Sequence, residues 1–275
     1  MRQTLILPLL LTASCADAQS IHDRIYQPHS APLTVAGLPT GAALDRVKTA
    51  DGLLLAGVEI AGKTDKPLLL VFHGNAGSAD RSVEWFAPLV AEGYGIVAAE
   101  YRGYSANPGR PDAKGLAADA DAFYARAKAL AGTRRVIVVG HSLGGGVAFG
   151  LATRQRLDAL VTVGTFTRLR DMAPKIARAF VPNDYDNLAA VPGLDEPYFL
   201  VHGTADDTVP VALGNALHVA AAKAHKAGAS FVVAGGGHRP DGAVMAAVIE
   251  AVAARVAGTV APALPASVKM YPFER

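Results

Sequence analysis

Short apolar runs recur along the chain, and each ends at glycine or at polar residues. Four of them occupy residues 68–72, 95–99, 136–139 and 198–201. Continuous apolar runs, rather than alternating ones, are typical of strands covered on both faces, as in a parallel sheet. The run at 53–60 follows an Asp-Gly turn and predicts a further, earlier strand.

Helical periodicity fills the intervals between these runs. In the segment 114–130, Leu116, Ala120, Phe123 and Ala127 recur at three- and four-residue steps. Other helices are predicted at 82–92, 147–152, 211–227 and 244–256. Because strands alternate with helices, the chain predicts an α/β fold, with a mostly parallel central sheet and helices on both faces.

The predicted domain spans residues 46–257, and the segments on either side of it lack the alternation of strands and helices. Residues 19–45 are mixed in character and predict an N-terminal arm, while residues 258–275 predict a C-terminal tail lying on the surface. Within the domain, residues 166–197 contain several prolines and predict a small cap of one or two helices. Ligands of such folds bind beyond the carboxyl ends of the strands, so a cap there would shape the site.

The composition is that of a globular chain with a large aliphatic core. Of 275 residues, 51% are hydrophobic and 18% are charged, which excludes an intrinsically disordered protein. The formal net charge of +2 is too small to recruit nucleic acid, so no nucleic-acid partner is expected. The single cysteine excludes a disulfide framework and a cysteine-based zinc site.

The first residues are typical of a targeting sequence rather than of part of the folded domain. Met1 and Arg2 give a basic start, and an apolar run interrupted by Pro8 and a group of small residues follow. This pattern predicts a secretory leader over residues 1–18, so the protein is expected to be exported to the periplasm or outside the cell. The apolar run is too short for a transmembrane helix. An alternative is a lipoprotein signal, in which Cys15 becomes a lipid-bearing N-terminus.

The strongest chemical signal is Gly140-His141-Ser142-Leu143-Gly144, which lies between an apolar strand and a glycine-rich helix start. A serine on such a sharp strand-to-helix turn has a strained backbone, and glycines two positions away avoid collisions. The hydroxyl then projects over the sheet at the helix N-terminus, where backbone N–H groups are free. Ser142 is therefore the candidate nucleophile.

A serine nucleophile needs a base and an acid, and candidates for both follow later apolar strands. Asp206 and Asp207 follow one of these strands, and His238 follows a glycine run after the next. In the predicted triad, Ser142 attacks, His238 takes its proton, and Asp206 holds the other imidazole nitrogen. Asp207 is the rival acid, and one of the two carboxylates is expected to cap the following helix.

An oxyanion hole is also predicted, because the attacked carbonyl needs donors for its developing negative charge. One donor is expected to be the backbone N–H of Leu143, the residue after the nucleophile. The other is expected from the glycine-rich loop after residues 68–72, where the N–H of Ala76 or of Asn75 is nominated. The sequence leaves these two open.

The remaining histidines of interest are assigned other roles. His73 and His202 end strands and are expected to pack or hydrogen-bond there, and His141 is expected to line the pocket. No cluster of His, Asp or Glu has metal-ligand spacing, and no phosphate-binding loop is found. No metal site is therefore predicted.

Several segments together carry a resemblance to a known family. They are His73-Gly74-Asn75-Ala76-Gly77, Tyr101-Arg102-Gly103-Tyr104-Ser105, Gly140 to Gly145, Val201 to Asp207 and Gly237-His238. Over about residues 45–257 the chain resembles the α/β-hydrolases of the BEM46-like group, also called the serine aminopeptidase S33-type group. The resemblance implies an α/β-hydrolase fold, a triad of Ser142, Asp206 and His238, and hydrolysis of ester-type bonds without a cofactor. The chain departs from the group at Glu100, where relatives often have Asp.

The predicted function is that of an exported serine hydrolase. It would cleave a carboxylic ester or thioester bond of a small-molecule acyl substrate through an acyl-enzyme. One alternative is an exopeptidase-like amidase, although no clear acidic anchor for a free amine is found in the cap beyond Asp184 and Asp186. The other is a catalytically silent binding module of the same fold. Because this fold carries many chemistries, the identity of the substrate is not predicted.

Overall fold

Nine strands form one sheet in the part of the chain that the structure describes. The computed structural model describes residues 22 and 25–273, so the predicted leader and Cys15 lie outside the described residues. The strands in chain order are β1 (Ala43–Lys48), β2 (Leu54–Ile60), β3 (Leu68–Phe72), β4 (Gly95–Ala99), β5 (Val136–His141), β6 (Ala159–Val163), β7 (Tyr198–Gly203), β8 (Gly228–Val233) and β9 (Val268–Pro272). Their spatial order is β1-β2-β4-β3-β5-β6-β7-β8-β9.

The centre of the sheet is parallel. The strands from β4 through β3, β5, β6 and β7 to β8 pair in parallel, while β1, β2 and β9 pair antiparallel at the two sides. Parallel strands bring their carboxyl ends to one edge of the sheet, where ligands of open α/β folds bind. The loops after β3, β5, β6, β7 and β8 therefore meet at one edge, and these loops contain the predicted site residues.

Helices cover both faces, because the central strands are apolar on both. Leu68, Leu70 and Phe72 of β3 belong to one buried cluster, whereas Leu69 and Val71 belong to the other. The helices are α1 (Ala79–Trp85), α2 (Ala87–Ala91), α3 (Ala113–Ala131), α4 (Leu143–Ala152), α5 (Asn187–Ala190), α6 (Val211–Lys223) and α7 (Gly242–Ala257). Helices α3, α4 and α6 cover the first cluster, and α1, α2 and α7 cover the second. This arrangement confirms the predicted α/β architecture.

The helix predicted at 82–92 is two short helices. The first begins earlier, at Ala79, and the chain is interrupted at Phe86. Pro88 stands in the first turn of α2. A proline lacks an N–H and fits a first helical turn better than a helix interior, which explains the break.

The sheet extends beyond both predicted boundaries of the domain. β1 begins at Ala43, inside the predicted arm 19–45. Residues 258–275 were expected to form a surface tail, but they contain β9, which pairs antiparallel with β8 and buries Val268. Backbone N–H and C=O groups at the side of β8 need partners, and β9 supplies them. The pattern of β9 is too short and too polar to identify it without that neighbour.

The segment 166–197 is built from short turns rather than from the one or two helices expected of a cap. It contains α5, which is a single turn, and 3-10 turns at Leu169–Met172, Lys175–Phe180 and Val191–Gly193. Pro174 and Pro182 prevent a longer helix. Among the described residues, no helix is both long enough and apolar enough to cross a membrane.

Candidate active site

Ser142 lies on the sharp turn between β5 and α4. Its φ of 54° and ψ of −116° belong to a region that residues with a side chain rarely adopt. Its N–H donates to the carbonyl oxygen of Val163, 2.9 Å away, which ties the turn to the end of β6. Such strain, roughly 1–3 kcal/mol, persists only where the surrounding structure imposes it. The candidate nucleophile thus lies at the carboxyl edge of the sheet.

Glycines after Ser142 let the first turn of α4 approach its neighbours closely. A Cβ atom on Gly144 would lie 2.1 Å from the carbonyl oxygen of Phe72, and one on Gly145 would lie 2.0 Å from Oγ1 of Thr165. Both distances are far below van der Waals contact. The end of β3, and with it the loop that follows, is therefore packed directly against the turn that carries Ser142.

His238 and Asp206 form a hydrogen-bonded pair at the same edge. His238 Nδ1 donates to Asp206, with 2.9 Å to Oδ2 and 3.1 Å to Oδ1. The carboxylate is fully buried and also accepts from the backbone N–H groups of Thr208 and Val209, at 2.9 and 2.8 Å. Burial raises the pKa of the Asp206 carboxyl, but the hydrogen bond from His238 and those from the two backbone groups outweigh it and leave the pKa below its ordinary value.

Asp207, the rival acid, makes no hydrogen bond or ion pair with His238 among the described residues. Its carboxylate accepts from the hydroxyl of Thr208, 3.2 Å away. The expectation that one of the two carboxylates caps the following helix is wrong. Pro210 is the N-cap residue of α6, and no side chain caps that helix. The backbone N–H groups that donate to Asp206, those of Thr208 and Val209, belong to the turn before α6.

Ser142 and His238 line one cleft of about 500 Å³, together with Gly74, Asn75 and Ala76. A Cβ atom on Gly74 would lie 3.2 Å from Cβ of Ser142, so the loop after β3 passes close to the nucleophile. No hydrogen bond joins the Ser142 hydroxyl to His238 within the described residues. Catalytic hydrogen bonds are often long in a free enzyme and tighten when substrate binds.

The loop after β3 contains the candidate oxyanion donors. The side-chain oxygen of Asn75 accepts from the N–H of Gln27 at 2.7 Å and from the hydroxyl of Tyr104 at 3.1 Å, which fixes this part of the loop. Ala76 lines the cleft beside Ser142. Leu143 is the first residue of α4, where backbone N–H groups lack helical partners. The choice between Ala76 and Asn75 stays a prediction.

A buried pair, His73 and Glu100, supports the base of this loop. His73 Nδ1 donates to the carbonyl oxygen of Gly74 at 2.8 Å, and Nε2 lies 2.7 Å from Glu100 Oε1. The other carboxylate oxygen of Glu100 accepts from the N–H of Ala79 at 2.9 Å. Glu100 thus links this loop, through His73, to the start of α1.

His141 connects the nucleophile turn to the histidine loop. Its Nε2 donates to the carbonyl oxygen of His238 at 3.0 Å, and the two ring centroids are 4.6 Å apart. Burial, together with the neighbouring His238, lowers the pKa of His141 to about 3. A neutral His141 therefore tethers the backbone of His238. The sequence predicted that His141 lines the pocket, and it does. The tether itself was missed, since nothing in the pattern indicates it.

The comparisons with known proteins identify the family. A family model described as the alpha/beta hydrolase fold matches residues 67–194. An uncharacterised protein of Mycobacterium tuberculosis is 34% identical over 236 residues, which cover 80% of this chain and 83% of that protein. The chain belongs to the α/β-hydrolases. The lysophosphatidylserine lipase ABHD12 of Rattus norvegicus is 32% identical over 200 residues, which are 64% of this α/β-hydrolase but only 50% of the lipase.

Solved structures agree with this assignment of the fold. An esterase of Pyrococcus furiosus superposes with a TM-score of 0.62 at 20% identity, covering 85% of this α/β-hydrolase and 96% of the esterase. A puromycin-hydrolyzing peptidase of Mycobacterium tuberculosis superposes with a TM-score of 0.64 at 15% identity, covering 83% and 41% of the two chains. These superpositions show the fold, while the family and its lipase relative support a hydrolase.

Proposed function

We propose that this α/β-hydrolase is a serine hydrolase that cleaves carboxylic ester or thioester bonds of small acyl substrates through an acyl-enzyme. One observation carries the proposal. Ser142, on its strained turn, lines the same cleft as His238, and the ring of His238 donates to the buried carboxylate of Asp206. A serine with such partners matches the constellation needed for nucleophilic catalysis.

The proposed reaction has two halves. The Ser142 oxygen bonds to the acyl carbon while its proton passes to Nε2 of His238, and Asp206 stabilises the resulting imidazolium. The N–H of Leu143 and one N–H of the loop after β3 donate to the oxyanion. Collapse of the adduct breaks the ester bond, and the imidazolium protonates the departing alcohol or thiol. Water then attacks the acyl-enzyme by the same route and releases the acid and the free serine.

The charges of the cleft favour an ester over a peptide with a free N-terminus. A peptidase that acts at a free N-terminus must receive an α-ammonium group, which is bound best by a carboxylate. No Asp or Glu is among the described residues that line the cleft. Among the sequence relatives named above, the one with a stated activity is a lipase. We therefore place ester cleavage ahead of the amidase alternative.

A fluorophosphonate probe tests the proposal directly. We expect wild-type protein to be labelled, Ser142→Ala not to be labelled, and the exposed control Ser30→Ala to be labelled like wild type. Hydrolysis of p-nitrophenyl esters should exceed hydrolysis of aminoacyl p-nitroanilides, and a burst of nitrophenol should precede the steady state. A wild type without labelling, or equal labelling of Ser142→Ala, would support the silent binding module instead.

We also propose, from residues 1–18 alone, that the protein is exported. Mass spectrometry of the protein isolated from its native cells tests this. A mature chain that begins at Gln19 supports cleavage of the leader, and a lipid-bearing Cys15 supports the lipoprotein alternative. A chain that retains Met1 overturns both.

A further inference from the structure

The cleft beside Ser142 has a positive character that the proposed triad does not use. Arg81 and Arg239 both line it, together with His238. No carboxylate is among the described residues that line this cleft. Two guanidinium groups that share a cleft without a carboxylate attract an anion from solution.

Arg239 is held in place before any ligand binds. Its guanidinium carbon lies 4.9 Å from the ring centroid of Trp85, and its Nη2 donates to the carbonyl oxygen of Arg81 at 2.6 Å. Trp85 is fixed in turn, because its Nε1 donates to the carbonyl oxygen of Pro240 at 2.7 Å. Arg81 and Trp85 are four residues apart on α1, so their side chains lie on the same side of the helix. A cation that is already ordered loses little entropy on binding.

Neither guanidinium is neutralised by an ion pair among the described residues. The carboxylate of Asp80 accepts from the hydroxyl of Ser78 and from the backbone N–H groups of Thr34 and Arg81, and not from the Arg81 guanidinium. Burial lowers the pKa of Arg239, the charge of Glu84 raises it, and the charge of Arg81 lowers it. Since an arginine remains charged in proteins, the site keeps its positive charge.

This site adjoins the reacting groups. Arg239 follows His238 directly in the chain. The ring of Trp85, on which Arg239 rests, lies with its centroid 5.2 Å from that of His141, and His141 lies 4.6 Å from the ring of His238. An anion bound by Arg239 would therefore lie in the same cleft as the scissile bond.

We propose that Arg81 and Arg239 form an anion subsite, and that the natural substrate is an ester carrying a carboxylate or phosphate group close to the scissile bond. The inference rests on the proposed serine hydrolase and specifies its substrate class. The planar guanidinium matches both kinds of oxyanion through paired N–H donors.

Two pairs of substrates test the subsite, and the members of each pair share the ester but differ in whether they carry the anionic group. The carboxylate pair is the monoethyl ester of glutaric acid against ethyl pentanoate. The phosphate pair is 1-octanoylglycerol 3-phosphate against 1-octanoylglycerol. Charge-assisted hydrogen bonds predict that wild-type kcat/KM favours the anionic member by about 10-fold in at least one pair. The pair that responds identifies the anion, and 0.5 M salt should reduce the preference because it screens exposed charges.

Variants connect the preference to the two arginines. In Arg239→Gln the preference should fall to about threefold or less, since one charge-assisted contact is lost, whereas Arg239→Lys should keep part of it. The control is Arg46→Gln, which removes the same charge from an exposed residue of β1, at the far side of the sheet, and should keep the full preference. Should Arg239→Gln fail to fold, as judged by circular dichroism, Arg81→Gln tests the same subsite.

The outcomes separate this inference from the proposed function. Equal kcat/KM for both members of both pairs in wild type overturns the anion subsite and leaves the serine hydrolase standing. A preference that survives in both Arg81→Gln and Arg239→Gln also overturns the subsite. Absence of hydrolysis of any ester by folded wild type overturns the proposed function, and the subsite with it.

Discussion

Gly144→Ala is expected to destabilise the protein strongly, although alanine is the better helix former. The added Cβ would lie 2.1 Å from the carbonyl oxygen of Phe72 and 2.6 Å from that of His73. Both are backbone atoms of β3 and of the loop after it, so no side chain can rotate away to make room. Either α4 or the end of β3 must shift.

The expected loss of stability in Gly144→Ala follows from two opposing effects. Overpacking a closely packed site typically costs about 1–3 kcal/mol, and backbone neighbours place this site at or above the upper end. Replacing a helical glycine by alanine offsets this by roughly 0.5–1 kcal/mol. The net loss is about 2–3 kcal/mol, which lowers the melting temperature of a domain of this size by about 4–12 °C.

Gly150→Ala in the same helix is the matched control. The nearest neighbour of a Cβ atom there is Nη1 of Arg154, at 3.5 Å, which is ordinary contact with a flexible side chain. This variant should therefore gain about 0.5–1 kcal/mol. Urea denaturation of both variants and wild type measures the difference. Equal stability of Gly144→Ala and Gly150→Ala would refute the close packing of α4 against β3.

Ser142→Ala and His238→Ala should each lower kcat by roughly 10⁴-fold or more, and the double variant should be no worse than either, since the two act as a unit. Turnover near that of wild type in either variant contradicts their proposed roles. Asp206→Asn should lower kcat by about 10³–10⁴-fold because His238 loses its anionic partner, whereas Asp207→Asn should stay within about threefold; the reverse order would move the acid to Asp207. The pKa of His141 is lowered to about 3 in the folded protein, whereas in the unfolded chain it is about 6.5. Between these two pH values only the unfolded protein takes up a proton at this side chain, so the free energy of unfolding falls as the pH falls. Wild type should therefore lose about 2 kcal/mol more than His141→Gln between pH 7 and pH 4.5 in urea titrations, and equal losses would show that His141 is not held neutral.

Much of the candidate site could be predicted from the sequence because it depends on local signals and on topology. Gly140 to Gly144 predicts a strand, a strained turn and a helix, and Ser142 lies on that turn. Asp206 and His238 each follow a strand, and the carboxyl ends of parallel strands meet at one edge. Their proximity therefore follows from strand order rather than from any local motif.

The rest depends on contacts between side chains of separate loops. Arg239 rests on Trp85, and His141 bonds to the backbone of His238, because of the paths that the loops take above the sheet. The periodicity and composition of the sequence do not predict the paths of these loops. β6 was not predicted either, although its five residues are apolar apart from Thr162 and are all buried between β5 and β7.

The C-terminal strand β9 also affects how the protein meets other copies of itself. Along β8 it covers a row of N–H and C=O groups that would otherwise be open to a strand of another chain, the usual starting point of aggregation. β9 in turn becomes the outer strand, but it is only five residues long. It carries exposed Lys269 and Pro272, and a charge and a missing N–H both discourage further pairing. Loss of this short strand should therefore reduce solubility.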